Sequence, residues 1–245
     1  MSSLLSFSPD KKDEVIDLAM LSNFVHQIVN PLNGVAGTID NLINGEIEEH
    51  RRVQRLGAAR AQIEQCINLL RNLAFLSQGF GSNSSSDLDL IVLPKIIIEA
   101  AMFFQEEAKN KGITISLSDK YTQNKVNASS DLIRQVLMNI FDNCVKYGER
   151  NMPVSVEQRI QKSSGDALII IRNQSRMPLD LVDIPKLTNL GFRGSNARKV
   201  VASGTGLGLY ICKHIVEDFH SGSFSINLRK PNDLEFIIKL PNGTA

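Results

Sequence analysis

The sequence predicts a two-part fold: a helical hairpin that forms a dimeric four-helix bundle, followed by an α/β sandwich domain with a mixed sheet. Three observations predict it. Up to residue 77, apolar side chains recur in steps of three and four; residues 78–89 (QGFGSNSSSDLD) have no periodicity; beyond them strand-like and helix-like stretches alternate.

In the first part, Leu18, Leu21, Val25, Ile28, Leu32, Val35, Ile39 and Leu42 make a heptad seam, which Val15, Val29, Ala36 and Ile43 widen. The first helix is expected over 13–43, stopped by Asn44-Gly45. His26 falls outside the stripe, where its ring meets solvent or a visiting domain. An ordinary surface histidine is the plain alternative. Pro31, five residues on, argues against it: inside a helix it removes the backbone bond to the Gln27 carbonyl, at roughly 3 kcal/mol. A disruption beside an exposed histidine calls for a functional reason. Leu56, Ala59, Ile63, Cys66, Leu70 and Leu73 continue the spacing in a second helix to Ser77. One hairpin offers its seam a single partner helix, so a homodimer is expected to bury it.

The expected organisation is a polar, flexible 1–12, the hairpin over 13–78, a linker over 79–88 and the sandwich over 89–245. In the sandwich, a strand over 91–93 leads to a helix begun by Pro94, reaching Lys111 and closed by Gly112. A strand covers 113–117, and Ser129, Ser130 or Asp131 caps a helix through Leu132, Val136, Ile140 and Val145. Strands over 154–160 and 168–172 pair around Ser163, Ser164 and Gly165. A glycine-bearing segment over 191–208 opens a helix over 209–219, and strands over 223–228 and 234–240 close the chain.

Lys and Arg number 27 against 26 Asp and Glu, a net charge of +1, which gives no case for a nucleic-acid or membrane-surface partner. The three cysteines, Cys66, Cys144 and Cys212, are far apart and read as buried thiols of a reducing, cytoplasmic setting. No apolar run approaches the ~20 residues that span a bilayer, and no signal-peptide pattern opens the chain, so no membrane segment or sensor is expected in it.

Two constellations carry chemistry. Asn139, Asn143 and Lys146 stand at steps of four and three on one helix face, where amide oxygens suit a phosphate-held Mg²⁺ and the lysine suits a phosphate. Gly204-Thr205-Gly206-Leu207-Gly208 opens the last long helix; glycines there let the backbone approach phosphates, and the helix start favours their charge. Phe192-Arg193-Gly194 and the polar run to Ser203 suit a mobile lid over a nucleotide. His50, His214 and His220 lack metal-ligand spacing and read as structural or solvated.

Taken in order, these pieces resemble the catalytic core of sensor histidine kinases of two-component systems. Residues 26–32 resemble the H-box, 137–148 (LMNIFDNCVKYG) the N-box, 190–193 the F-box and 204–217 (GTGLGLYICKHIVE) the G2-box. The resemblance implies a GHKL-type ATP-binding fold after the linker, with ATP and Mg²⁺ as ligands. It implies His26 as phosphoacceptor, Asn139 and Asn143 serving Mg²⁺, and Lys146, Tyr147 and Arg193 at the nucleotide. Gly204, Thr205, Gly206, Leu207 and Gly208 would cradle phosphates. A response regulator receiver domain is the implied partner. Two departures stand out: Gln27 replaces the acidic residue that usually follows the histidine and cannot act as a base. Asn173-Gln174-Ser175-Arg176-Met177 replaces D-x-G-x-G, so Asn173 could meet adenine only without a charge. Asn30, one turn past His26, matches an Asn or Thr that orients water in members with phosphatase activity. The expected function is therefore a histidine kinase that phosphorylates itself on His26 and passes the phosphoryl group to a regulator's aspartate. The alternative is a phosphotransfer or phosphatase scaffold with a degenerate nucleotide domain.

Overall fold

The seam of threes and fours forms two helices in the computed structural model, which describes residues 18–77, 88–200 and 204–244. Residues 13–17 of the expected first helix, nearly all of the linker and residues 201–203 of the lid lie outside the described residues. Helix α1 (Leu18–Ile43) runs unbroken through Pro31, and α2 (Glu49–Ser77) returns beside it. Gly45, at φ +71°, ends α1 as expected, with the Glu46 N–H donating to the Asn41 carbonyl at 2.9 Å. The helices approach closely at Gly34, where a Cβ would stand 3.0 Å from the Gln62 amide. The expected seam is closed at Val35, Ala59 and Cys66 and otherwise largely open: Val25, Leu32, Ile39, Leu56 and Leu70 are each 45% exposed or more.

Strand β1 (Asp89–Val92) leads straight into α3 (Leu93–Met102), with Pro94 in its first turn. The single helix expected to Lys111 is broken in two. The chain turns at Phe103 and Phe104 before α4 (Gln105–Asn110), because Phe104 is drawn into the core edge-on to Phe141, ring centroids 6.4 Å apart. Gly112 closes this stretch at φ +68°, where a Cβ would lie 2.1 Å from the Asn151 side-chain oxygen.

Strand β2 (Ile115–Leu117) is shorter than expected, and β3 (Lys125–Ala128) was not anticipated. Four residues, with only Val126 and Ala128 turned inward, make too short an alternation to distinguish from a loop. Helix α5 (Ser130–Tyr147) follows Ser129, whose side chain makes no cap bond; its backbone N–H instead donates to His220 Nε2 at 3.1 Å. Strands β4 (Val154–Ile160) and β5 (Ala167–Gln174) pair antiparallel as expected. A 3₁₀ turn (Leu181–Lys186) follows β5, and the short helix α6 (Ser195–Val200) forms within the segment expected as a lid.

The last helix begins at Gly208 as α7 (Gly208–His214) and widens into a π turn (Ile215–Phe219) rather than staying α-helical throughout. Strands β6 (Ser223–Lys230), β7 (Asp233–Leu240) and β8 (Gly243–Thr244) complete the fold. The main sheet runs β2-β4-β5-β7-β6; β2 lies parallel to β4 and the other pairs are antiparallel, the mixed sheet expected. A small sheet, β1-β3-β8, stands apart. Alternation along β7 turns Leu234, Phe236, Ile238 and Leu240 inward, against Ile140, Phe141, Ile211 and Ile215 of the covering helices. Cys66, Cys144 and Cys212 are buried free thiols, and desolvation raises the pKa of each.

Candidate functional site: an amide-lined pocket

Helix spacing brings Asn139, Asn143 and Lys146 to one wall of a cavity of about 330 Å³. That is within the size of ligand pockets, roughly 300–1,000 Å³. Asn143 donates from its amide to the Asn139 carbonyl at 2.9 Å, so its side-chain oxygen stays available as an acceptor. Lys146 donates to Asp142 Oδ2 at 2.7 Å. Burial works against the ammonium, but the charge and hydrogen bond of Asp142 outweigh it and hold the lysine above its ordinary pKa, so it meets the pocket as a cation. Asp142 went unnoticed in the sequence, although it lies between the two asparagines.

The adjoining wall is the glycine segment. Gly206 has φ +68°, and a Cβ there would meet the Gly191 carbonyl carbon at 2.6 Å, so only glycine lets this loop lie against the Gly191–Phe192 backbone. A Cβ at Gly204 would stand 2.8 Å from the Arg193 guanidinium carbon, which packs the arginine onto the loop. Thr205 Oγ1 accepts from the Leu207 N–H at 3.3 Å, and Leu207 itself is buried. Asn173 is 5% exposed on β5 at the pocket floor. Gly148, from the end of α5, lies so close that a Cβ would be 3.1 Å from the Asn173 side-chain oxygen. The turn without glycines is closed by Ser175, whose hydroxyl donates to the Met177 carbonyl at 2.7 Å and whose backbone bridges Gly148. Tyr147 lines the same cavity.

The cavity reaches the hairpin. Gln27, Asn30 and Pro31 of α1 line it, while His26 is exposed beside them and does not. From α2 come Gln65, Asn68 and Asn72, none of them anticipated. Asn68 and Asn72 each donate to Asn139 Oδ1 at 3.0 Å. Asn139 and Gln135 donate back to Asn72 Oδ1 at 3.2 and 2.8 Å. A signal for this face was present: Leu69, Asn72, Phe75 and Leu76 form a second stripe on α2, away from the heptad seam. Of the other histidines, His50 is exposed. His214 pairs with Asp218, and buried His220 donates from Nδ1 to the Ile215 carbonyl at 2.7 Å.

The donor set fits Mg²⁺ in one manner. Among the described residues no group of three His, Cys, Asp or Glu side chains could cage a metal. The available Asn143 oxygen beside a lysine suits a cation held chiefly by phosphates. Asn139 would serve only after its oxygen is released from α2.

Residues 128–244 match the model of the histidine kinase-, DNA gyrase B-, and HSP90-like ATPase family. Along the sequence, the chain is 25% identical over 200 residues to the sensor protein KdpD of Clostridium acetobutylicum, covering 81% of this chain and 22% of that protein. It is 24% identical over 227 residues to the sensor protein SrrB of Staphylococcus aureus, covering 90% of this chain and 37% of that one. The chain thus spans well under half the length of these curated relatives. The Acinetobacter baumannii histidine kinase AdeS shares the fold, with TM-score 0.56 and 17% identity over 88% of this chain and 97% of that one. So does histidine kinase ThkA in complex with response regulator protein TrrA, with TM-score 0.56 and 19% identity over 92% and 61%. Among the described residues no helix is long and apolar enough to cross a membrane.

Proposed function

We propose, from the premise that this chain is the catalytic core of a sensor histidine kinase with its ATPase domain at 128–244, that it phosphorylates its own His26 from Mg-ATP and passes the phosphoryl group to an aspartate of a response regulator. The observation that carries this is the continuity of one cavity from the Asn139–Lys146 face and the glycine loop to Gln27, Asn30 and Pro31, which flank His26 on α1. A nucleotide seated between Asn173 and the glycine loop would point its terminal phosphate toward that flank. Lys146 would meet phosphate charge, and Asn143 would lend its oxygen to Mg²⁺, which supplies charge neutralisation at the phosphates when bound.

A ring nitrogen of His26 forms the new bond to phosphorus as the bond to the leaving nucleoside diphosphate breaks, and the second ring nitrogen loses its proton to water. Gln27 has no basic group to take that proton, so positioning rather than base catalysis carries the step. Association of two hairpins would cover the open seam and give the dimer. A regulator partner is supported by the ThkA complex, whose kinase shares this fold.

Labelled ATP should give an acid-labile label on the wild-type chain and none on His26→Ala; label retained by that variant refutes the assignment. A second reading, a phosphotransfer or phosphatase scaffold, is favoured by two features. Asn30 lines the cavity where it could orient water, and the Ser175–Met177 turn stands where the family has glycines. Calorimetry with no nucleotide binding, together with dephosphorylation of a phosphorylated regulator, would select it.

A further inference from the structure

The Asn139 carboxamide that a metal-bound nucleotide would use is already engaged. Its oxygen has two lone pairs, and both receive N–H donors from α2, Asn68 and Asn72 at 3.0 Å each. Its amide donates in turn to Asn72 Oδ1 at 3.2 Å and to the Gly208 carbonyl at 3.4 Å, so the group is held from α2 and from the glycine loop at once. Apolar packing supports the docked helix: Phe75 of α2 meets Phe219 with ring centroids 5.6 Å apart, and Phe24 of α1 is buried in the same cluster.

The docked arrangement is also incompletely satisfied. Asn68 Oδ1 and Gln27 Nε2 are buried at the cavity without a hydrogen-bond partner. Buried polar atoms left unpaired favour any state that pairs them. The amide contact therefore holds the metal-facing group closed while keeping two polar atoms that gain partners when it opens.

The geometry points to a brake: α2, through Asn68 and Asn72, competes with the Mg²⁺-nucleotide for Asn139, so that the metal-bound nucleotide must first part Asn139 from these two amides. This rests on the nucleotide reading of the pocket. By reciprocity, whatever draws α2 away strengthens nucleotide binding. The opposite role for the same contacts, holding Asn139 ready for the metal, predicts the opposite sign.

The test uses the full chain and Mg-ADP as probe. Calorimetry compares wild type with the double variant Asn68→Ala/Asn72→Ala and, separately, with Phe75→Ala, which loosens docking without touching an amide. Circular dichroism checks that each is folded. The brake predicts tighter binding in both variants, about tenfold in the double variant as two ordinary neutral hydrogen bonds imply, with a smaller gain without Mg²⁺. It also predicts that Mg-ADP increases hydrogen exchange in residues 65–76 of the wild type. A wild type that fails to bind while the variants bind supports the brake strongly. Unchanged or weaker binding in both variants, with normal wild-type binding, overturns it and leaves the nucleotide site intact. Binding in none of the three overturns the nucleotide reading and the brake with it.

Discussion

The hairpin and the ATPase domain bury their apolar residues in opposite ways. In the domain, Leu137, Ile140, Phe141, Ile169, Ile171, Ile211 and Ile238 are at 0% exposure, and sheet and helices close one core within the chain. Among the described apolar side chains of the hairpin, only Phe24 and Val35 of α1 and Ala59, Cys66 and Phe75 of α2 are buried. Most of the heptad seam faces outward, while the second stripe of α2 lies on the domain. The domain therefore builds most of the core from its own residues, joined by Phe24 and Phe75, and the hairpin has two faces, one docked on the domain and one exposed.

The largest expected effect lies in the closed core. Phe141→Ala should destabilise the domain by about 3–5 kcal/mol in urea unfolding, because a fully buried aromatic ring leaves a cavity. Leu32→Ala, at a residue 45% exposed, should cost the unfolding midpoint far less. Equal costs would erase the contrast between the regions.

Next comes the open face. Val25→Glu with Leu32→Glu should weaken self-association about a hundredfold, near 2.7 kcal/mol, in sedimentation equilibrium, while the domain melts as before. A wild-type chain that is monomeric at high micromolar concentration would remove the waiting partner from the picture.

A smaller effect concerns His220, which joins α5 to the last helix from inside the domain. Desolvation by burial lowers its pKa below 6.5, against a weaker opposing bond to the Ile215 carbonyl. The unfolded chain then binds more protons than the folded one, so this stability is complete above pH 6.5 and declines as pH falls below it, by at most about 1.4 kcal/mol per pH unit. Urea titrations from pH 8 to 5 should show the loss in the domain transition, and His220→Gln should flatten it. The smallest effect belongs to the pocket floor: Asn173→Asp should tighten ADP binding about fivefold, near 1 kcal/mol, through a charge-assisted bond.

Much of this was legible in the residues. Steps of three and four placed both hairpin helices, Gly45 and Gly112 ended their segments at positive φ, and the alternation of β7 matched its buried face. The α5 residues of the pocket were legible for the same reason, since Asn139, Asn143 and Lys146 are spaced to share one helix face. The break at Phe103–Phe104 and the brief β3 were not, because each exists to satisfy a distant partner rather than a local pattern.

Periodicity and glycine placement thus determined the two-part architecture, the exposed His26 and the pocket walls by themselves, since they depend only on local geometry along the chain. What only the tertiary structure decided is that α2 lays Asn68 and Asn72 across Asn139 and that the pocket reaches Gln27 and Asn30. Those contacts join residues more than sixty positions apart, and a hydrogen bond at that separation is chosen by how the elements dock, which no local spacing encodes.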